Sequence, residues 1–224
     1  MRFAEDVGID LGTANVLVYV EGKGIIKTSI GFDNGIITCL KNNRKIEEID
    51  NLTEDMIVVP GFIDQHIHGA AGSDAMDGTV EDLSKIANAV AKEGTTAFLA
   101  TTMTQSPENI TNALKAVKDY IEAKPVDGAE VLGVHLEGPF ISKDFAGAQP
   151  YEYIATPDVE VFKKYQDASG DNIRLVSLAP EEEGSSELIA YLKANNIVAS
   201  IGHSNSKYAD VEKAYSQGYS YAEI

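Results

Sequence analysis

The chain contains only four histidines, and all four have the same position relative to predicted strands. His66, His68, His135 and His203 each lie at or near the C-terminal end of a predicted parallel strand. Active sites form at that edge of barrels and of open α/β sheets. The sequence therefore predicts one shared site built from strand ends.

The pair His66 and His68 is the sharpest local feature. Residues two apart in a strand point to the same face, so both imidazoles are expected to face one point. Neutral imidazole is a ligand that suits zinc, iron or nickel. The alternative is a pair of polar strand-end residues bonded to the backbone.

Two further strand ends carry candidate ligands. Glu137, in the segment HLEGP, can bridge two divalent cations, although a lone loop glutamate is usually only solvated. His203 is favoured as a ligand over a role beside a helix cap formed by Ser204 and Asn205. His135 lies two residues before Glu137 and is expected to act as a supporting donor or a packed core histidine.

Other polar residues are expected to have structural roles. Asp64 is predicted to form hydrogen bonds within the core, and the acidic run 181–183 to be a solvated loop. The lone cysteine, Cys39, excludes a disulfide within the chain and fits a reducing compartment.

These residues require a sheet whose strands run in parallel. From residue 56 onward, apolar runs alternate with amphipathic helical patterns, which is typical of such a sheet. The predicted strands span 56–69, 95–102, 130–138, 172–181 and 197–204, and a sixth begins at 219. The predicted helices span 79–93, 107–123, 159–168, 185–196 and 206–218. Periodicity fits either a doubly wound sheet or an incomplete barrel.

The first 55 residues have a different pattern of apolar residues. Short alternating runs and the hairpin signal Asn34-Gly35 predict a small β-rich unit. We therefore assign residues 1–55 to this unit and residues 56–224 to the parallel α/β domain. A complete eight-stranded barrel usually needs about 250 residues, so a barrel in this chain is expected to be incomplete.

Composition and charge restrict the classes of binding partner and the expected location. The formal net charge of −17 disfavours nucleic acid and anionic membranes, because like charges repel. No apolar run approaches the roughly 18 residues that span a bilayer. No secretory signal pattern is present at the N-terminus, so the expected location is the cytoplasm.

The segment PGFIDQHIHG resembles the opening motif of the amidohydrolase superfamily. Further segments, in order and with similar spacing, resemble the N-acetylglucosamine-6-phosphate deacetylases, and the resemblance covers about residues 28–222. The segments are GSDAMD, EGTTAFLATTMTQ, GVHLEGPFISKDFAGAQP, LAPEEE and SIGHSNS. The run from HLEGP to AGAQP is the most specific of them.

This resemblance implies a metal-dependent (β/α) barrel of the TIM type that hydrolyses the acetamide of N-acetylglucosamine 6-phosphate. It implies that His66, His68, Glu137 and His203 bind one or two divalent ions (zinc, iron, manganese or nickel). Ala148 and Gln149 match positions that line the sugar site. The full-length family also implies a homodimer.

The chain departs from the family pattern in residues that the family uses for catalysis. The family's next metal-ligand histidine falls, by counting, on Ile224, and its catalytic aspartate falls beyond it. None of the arginines, Arg2, Arg44 and Arg174, matches a phosphate-binding position. The chain is therefore expected to contain no catalytic residue of its own and to be an incomplete or inactive fragment.

The first 26 residues resemble the start of the bacterial actin-like protein MreB. Asp10, Gly12 and Thr13 would then belong to a phosphate-binding hairpin, and a non-catalytic nucleotide-binding fragment is one alternative function. Another amidohydrolase, dihydroorotase-like or deaminase-like, is a second alternative. Such an enzyme would share His66 and His68 but lack the run from HLEGP to AGAQP.

Overall fold

The computed structural model describes residues 16–20, 24–33, 36–41, 57–58, 61–125, 127–219 and 221–222. The chain divides into two compact units, Met1–Phe62 and Ile63–Ile224. The boundary predicted between residues 55 and 56 lies N-terminal to this division. Asp10, Gly12 and Thr13, on which the nucleotide-binding alternative depends, lie outside the described residues.

The smaller unit contains a four-stranded sheet. Its strands are β1 (Val16–Val20), β2 (Gly24–Asp33), β3 (Ile36–Lys41) and β4 (Ile57–Val58), in the order β3-β2-β1-β4. The pairs β1–β2 and β2–β3 are antiparallel, whereas β1–β4 is parallel. The apolar run at 56–69, predicted as one strand, therefore contributes its first part to this sheet.

The larger unit alternates strands with helices, as predicted. In chain order it contains β5 (Phe62–Ile67), β6 (Gly69–Ala70), β7 (Ser73–Asp74), α1 (Val80–Ala91), β8 (Thr95–Thr101), α2 (Pro107–Ala123), β9 (Glu130–Glu137), α3 (Val159–Ser169), β10 (Ile173–Leu178), α4 (Ser185–Ala194), β11 (Val198–Ile201), α5 (Tyr208–Gln217) and β12 (Tyr221–Ala222). Three short 3₁₀ turns lie at Ala75–Asp77, Lys143–Phe145 and Tyr151–Tyr153.

Six of these strands form one sheet in the order β12-β11-β10-β9-β8-β5, and β6 and β7 form a separate hairpin. The pairs β8–β9, β9–β10, β10–β11 and β11–β12 are parallel. Strand order follows chain order, which is the pattern of a (β/α) barrel rather than of a doubly wound sheet, whose order reverses. The prediction of an incomplete barrel is confirmed.

Side-chain caps begin three of the helices. The Thr79 side chain accepts a hydrogen bond from the backbone N–H of Asp82 at the start of α1. Ser106 caps α2, where Pro107 occupies the first turn, and Asp158 caps α3. Such caps satisfy backbone donors that have no partner inside the helix.

Alternation along the strands divides apolar from polar residues. Phe98, Leu136 and Leu178 pack in the hydrophobic core with residues of α1 to α4. Their strand neighbours Glu137 and Ser177 are also buried but polar, and they point to the opposite face. Polar chemistry is thereby confined to the inner face and to the C-terminal ends of the strands.

Among the described residues, no helix is both long enough and apolar enough to cross a membrane.

Candidate metal centre

Three of the predicted ligands meet at the C-terminal edge of the sheet. His66 Nε2 lies 3.3 Å from His68 Nε2. The Oε2 atom of Glu137 lies 3.4 Å from His66 Nε2 and 3.0 Å from His68 Nε2. His66 lies near the end of β5 and His68 directly after it, and β9 supplies the carboxylate from across the sheet.

The fourth predicted ligand approaches the same carboxylate from the other side. His203 Nε2 lies 2.6 Å from Glu137 Oε1. Glu137 therefore directs one oxygen to the pair from β5 and the other to the segment after β11. At this distance His203 and Glu137 are in direct hydrogen-bonding contact.

The distances around Oε2 fit a divalent cation. Zinc–nitrogen and zinc–oxygen bonds of about 2.0–2.1 Å place tetrahedral ligands about 3.4 Å apart. His66, His68 and Glu137 match this spacing and form the ligand group found among the described residues. The group can hold a divalent metal.

Backbone carbonyls fix the orientation of the rings. His68 Nδ1 donates to the Thr101 carbonyl at 3.2 Å, and His203 Nδ1 donates to the Phe145 carbonyl at 3.1 Å. A carbonyl can only accept, so Nδ1 of each ring carries a proton while Nε2 is directed at Glu137. A contact between Nε2 and a carboxylate requires a proton or a cation between the two atoms.

The electrostatics of Glu137 favour the charged carboxylate. Burial raises the pKa of Glu137, but its contacts with His203, His66 and His68 lower it, and the net shift is downward. The contact with Glu137 in turn raises the pKa of His68. Oε2 is buried, and the ring nitrogens of His66 and His68 are its polar neighbours at 3.4 and 3.0 Å.

His203 is held by the loop that follows β9. Its backbone has φ of 49°, a conformation that positions the ring but is uncommon outside glycine. The Ser142 N–H donates to the His203 carbonyl at 2.9 Å. Together with the bond from Nδ1 to Phe145, this contact links the two loops in both directions.

The interpretation of Ser204 and Asn205 as helix caps was wrong, because α5 begins only at Tyr208. Instead, the Ser204 and Ser206 hydroxyls donate to Glu181 Oε2, at 2.7 and 2.6 Å. The Asn205 N–H donates to Glu181 Oε1. Glu181, predicted to be merely solvated, therefore secures the segment after His203, and only its position after strand β10 could have indicated this.

His135 does not join the ligand group. It is fully buried, with Nδ1 at 3.0 Å from the Gln65 carbonyl and Nε2 at 2.7 Å from Ser177 Oγ. Asp64 Oδ1 accepts from the His66 N–H at 3.0 Å. Both residues support the site through hydrogen bonds.

The predicted sugar-site residues lie on the loop after β9. Gln149 is buried, and its Oε1 accepts the Thr104 N–H at 2.7 Å. Ala148 is exposed. Gln149 therefore also ties this loop to the segment after β8.

The chain is similar to known proteins over nearly its whole length. The sequence model of the Amidohydrolase family matches residues 57–223. The N-acetylglucosamine-6-phosphate deacetylase of Bacillus subtilis (strain 168) is 40% identical over 212 residues, which are 92% of this chain and 54% of that protein. The enzyme of the same name from Lysinibacillus sphaericus is 46% identical over 188 residues, 84% of this chain and 48% of that protein.

Solved structures agree with these relatives. The N-acetylglucosamine-6-phosphate deacetylase of Thermotoga maritima has a TM-score of 0.77 and 32% identity, covering 91% of this chain and 52% of that one. The chain spans about half the length of the curated relatives it matches. With the match over residues 57–223, the fold and the ligand group show that the chain belongs to the amidohydrolase family.

Proposed function

We propose that this chain carries the metal centre of a deacetylase that hydrolyses the acetamide of N-acetylglucosamine 6-phosphate to glucosamine 6-phosphate and acetate. One observation carries the proposal: His66, His68 and His203 all direct Nε2 to the oxygens of Glu137. Such a cluster at the strand ends suits metal-assisted hydrolysis.

Similarity to named relatives supports the choice of substrate. Relatives with 40% and 46% identity are N-acetylglucosamine-6-phosphate deacetylases. An N-acetylgalactosamine-6-phosphate deacetylase from Escherichia coli O157:H7 is 35% identical over 162 residues. An amino-sugar phosphate is thus the proposed class of substrate, and the configuration of the sugar is a matter for direct assay.

The side chains have separate proposed tasks. Glu137 would hold one ion together with His66 and His68, and a second ion together with His203. A bound divalent cation of the zinc, iron, manganese or nickel type supplies Lewis acidity toward water and the amide carbonyl. Ala148 and Gln149 line the sugar site, and Gln149 keeps its loop against Thr104.

Proton transfer to the leaving amine needs a general acid. Among the described residues, the ligand group contains no carboxylate other than Glu137. We therefore propose that an acid outside this group delivers the proton. The activity is proposed to be cytoplasmic and to belong to a homodimer.

Metal content and acetate release test the proposal separately. The purified chain is loaded with each of the four metals, its bound metal is counted, and acetate is measured with both N-acetylated hexosamine 6-phosphates and with dihydroorotate. The assay is run with the chain alone and with the remaining length of the Bacillus subtilis relative supplied as a second polypeptide.

We expect bound metal in the isolated chain and acetate from an acetylated amino-sugar phosphate only in the mixture. If metal binds but neither the chain alone nor the mixture releases acetate, the metal centre is supported and the deacetylase activity is refuted. Turnover of dihydroorotate alone would favour a different amidohydrolase, and absence of metal would refute the centre.

A further inference from the structure

His135 connects strands that are not neighbours. In the sheet order, β8 lies between β5 and β9, yet His135 Nδ1 reaches the Gln65 carbonyl of β5 at 3.0 Å. On its other side, His135 Nε2 contacts Ser177 Oγ of β10 at 2.7 Å. The imidazole therefore joins three strands across the inner face of the sheet.

The protonation of this ring follows from its two partners. A carbonyl can only accept, so His135 carries its proton on Nδ1 and donates to Gln65. Nε2 then accepts from the Ser177 hydroxyl. Because both nitrogens are engaged and the residue is fully buried, His135 is not arranged to be a metal ligand.

The Gln65 carbonyl belongs to the peptide that enters His66. The peptide is planar, so a bond to this carbonyl restrains the backbone from which the His66 ring projects. On the C-terminal side, the Ile67 N–H donates to Thr101 Oγ1 at 3.0 Å. The His66 and His135 rings also meet edge to face, with centroids 4.9 Å apart.

We infer that His135, held by Ser177, is the positioning residue for the ion bound by His66 and His68, and that it has little influence on the ion bound by His203. The inference rests on the proposed metal centre. Supporting residues of this kind typically change metal affinity by about 10–100-fold. A residue that only contributes to folding would weaken the binding of both ions. A positioning residue weakens the binding of only one.

Two amide substitutions separate the functions of the two ring nitrogens. In His135→Asn, the amide nitrogen takes approximately the place of Nδ1 and can still donate to Gln65. In His135→Gln, the amide extends toward Ser177 and the donor at the Nδ1 position is lost. Both variants keep a polar, uncharged side chain.

The experiment measures zinc affinity of the full chain against a chromophoric chelator and follows Co²⁺ absorption in parallel. H135Q and H135N are introduced into the H203A and H66A backgrounds, which isolate the two ions. We expect H135Q to weaken zinc binding by about 10–100-fold in the H203A background and to leave affinity in the H66A background unchanged. H135N should largely restore affinity.

Equal weakening in both backgrounds, or none in either, would overturn the inference. If H135Q does not fold, as judged by circular dichroism, Ser177→Ala replaces it and should show the same selectivity with a smaller loss. A uniform effect of S177A would equally overturn the inference. Failure of the unsubstituted chain to bind zinc would refute the metal centre itself, and the inference with it.

Discussion

At the scale of the residue, a single buried carboxylate faces three imidazoles. Glu137 is 3% exposed, and a charge so placed is stable only when it is paired or bound to a metal. Its contacts with His66, His68 and His203 offset the cost of burial. Removal of the charge should therefore affect both proposed ion sites at once.

Glu137→Gln tests this dependence. Loss of a direct ligand exceeds the roughly 10–100-fold cost of a supporting residue, so zinc affinity should fall by more than about 100-fold at both sites. Metal titration of the variant is compared with that of Glu130→Gln, which changes an exposed glutamate of the same strand. Retention of either ion by E137Q would contradict the bridging role.

Glu181 offers a second test at this scale. Glu181→Ala removes the acceptor for Ser204, Asn205 and Ser206, so the segment after His203 should lose its restraint. We expect about a 10-fold loss of affinity for the His203 ion, measured by zinc titration in the H66A background. Glu183→Ala, in the same loop and, like Glu181, exposed, is the control and should bind zinc normally.

The sequence indicates the candidate ligands better than it indicates the residues that hydrogen-bond to them. The prediction that His66 and His68 converge follows from the two-residue period of a strand, which is local. The carbonyl that orients His203 belongs to Phe145, and the link from His135 reaches Gln65. These contacts join residues distant in the chain, so no local pattern contains them, and the contact between Glu181 and Ser204 was missed for the same reason.

At the scale of the element, the end of β9 is fixed by close packing. Gly138 follows Glu137 with φ of +71°, and a Cβ there would lie 2.0 Å from Thr104 Oγ1. The backbone N–H of Thr104 is itself bonded to Gln149. A Cβ at position 138 would therefore require Thr104 to shift.

Gly138→Ala should therefore destabilise the chain by about 1–3 kcal/mol, in the range of other overpacking substitutions, and should weaken metal binding. Chemical denaturation and zinc titration measure the two effects. Gly72→Ala is the matched control, because Gly72 has φ of +79° but a methyl group added there would meet nothing within 4 Å. If both variants behave alike, backbone conformation rather than packing is responsible.

The first turn of α1 contains a charged residue, Asp82, that is hydrogen-bonded to the cap residue Thr79. The Thr79 hydroxyl, then Lys85, then Ser73 donate hydrogen bonds to Asp82 and lower its pKa from 3.8 to about 2. A group whose pKa is lower in the folded chain stabilises the fold above the pKa of the unfolded chain. That contribution is lost as the pH falls through the folded value.

Asp82→Asn should therefore reduce stability at neutral pH, and its difference from the parent should shrink as the pH falls from about 4 to about 2. Urea midpoints across this range measure the difference. Glu81→Gln, an exposed change in the same turn, should show no such convergence. A difference that is independent of pH would remove the role assigned to the carboxylate.

Most elements of the larger unit could be predicted from sequence, and the reason is visible in α2. Ser106 and Pro107 mark its start, and apolar spacing continues to Ala123, so local signals agree. The run at 56–69 was harder, because two sheets divide it. Ile57 pairs with Leu17 of β1, and a partner so far away cannot be read from an apolar run.

At the scale of the whole molecule, metal binding should be coupled to folding. A ligand that binds only the folded chain stabilises it by about 2.7 kcal/mol at 100 times its dissociation constant. Zinc should therefore raise the thermal midpoint reversibly, and a chelator should return it to the starting value. E137Q should melt at the same temperature with and without zinc, and a zinc-dependent shift in that variant would place the effect elsewhere.

The two-way connection between His203 and the loop after β9 restricts how the site can be altered. Ser142 donates to the carbonyl of His203, and the ring of His203 donates back to Phe145. The loop that carries the proposed sugar-binding residues is thus bonded in both directions to the proposed ion ligand His203. A change of the proposed substrate preference by loop exchange would have to transplant residues 141–149 and 203–206 together, because the exchanged loop would otherwise lose the contacts that orient the His203 ring.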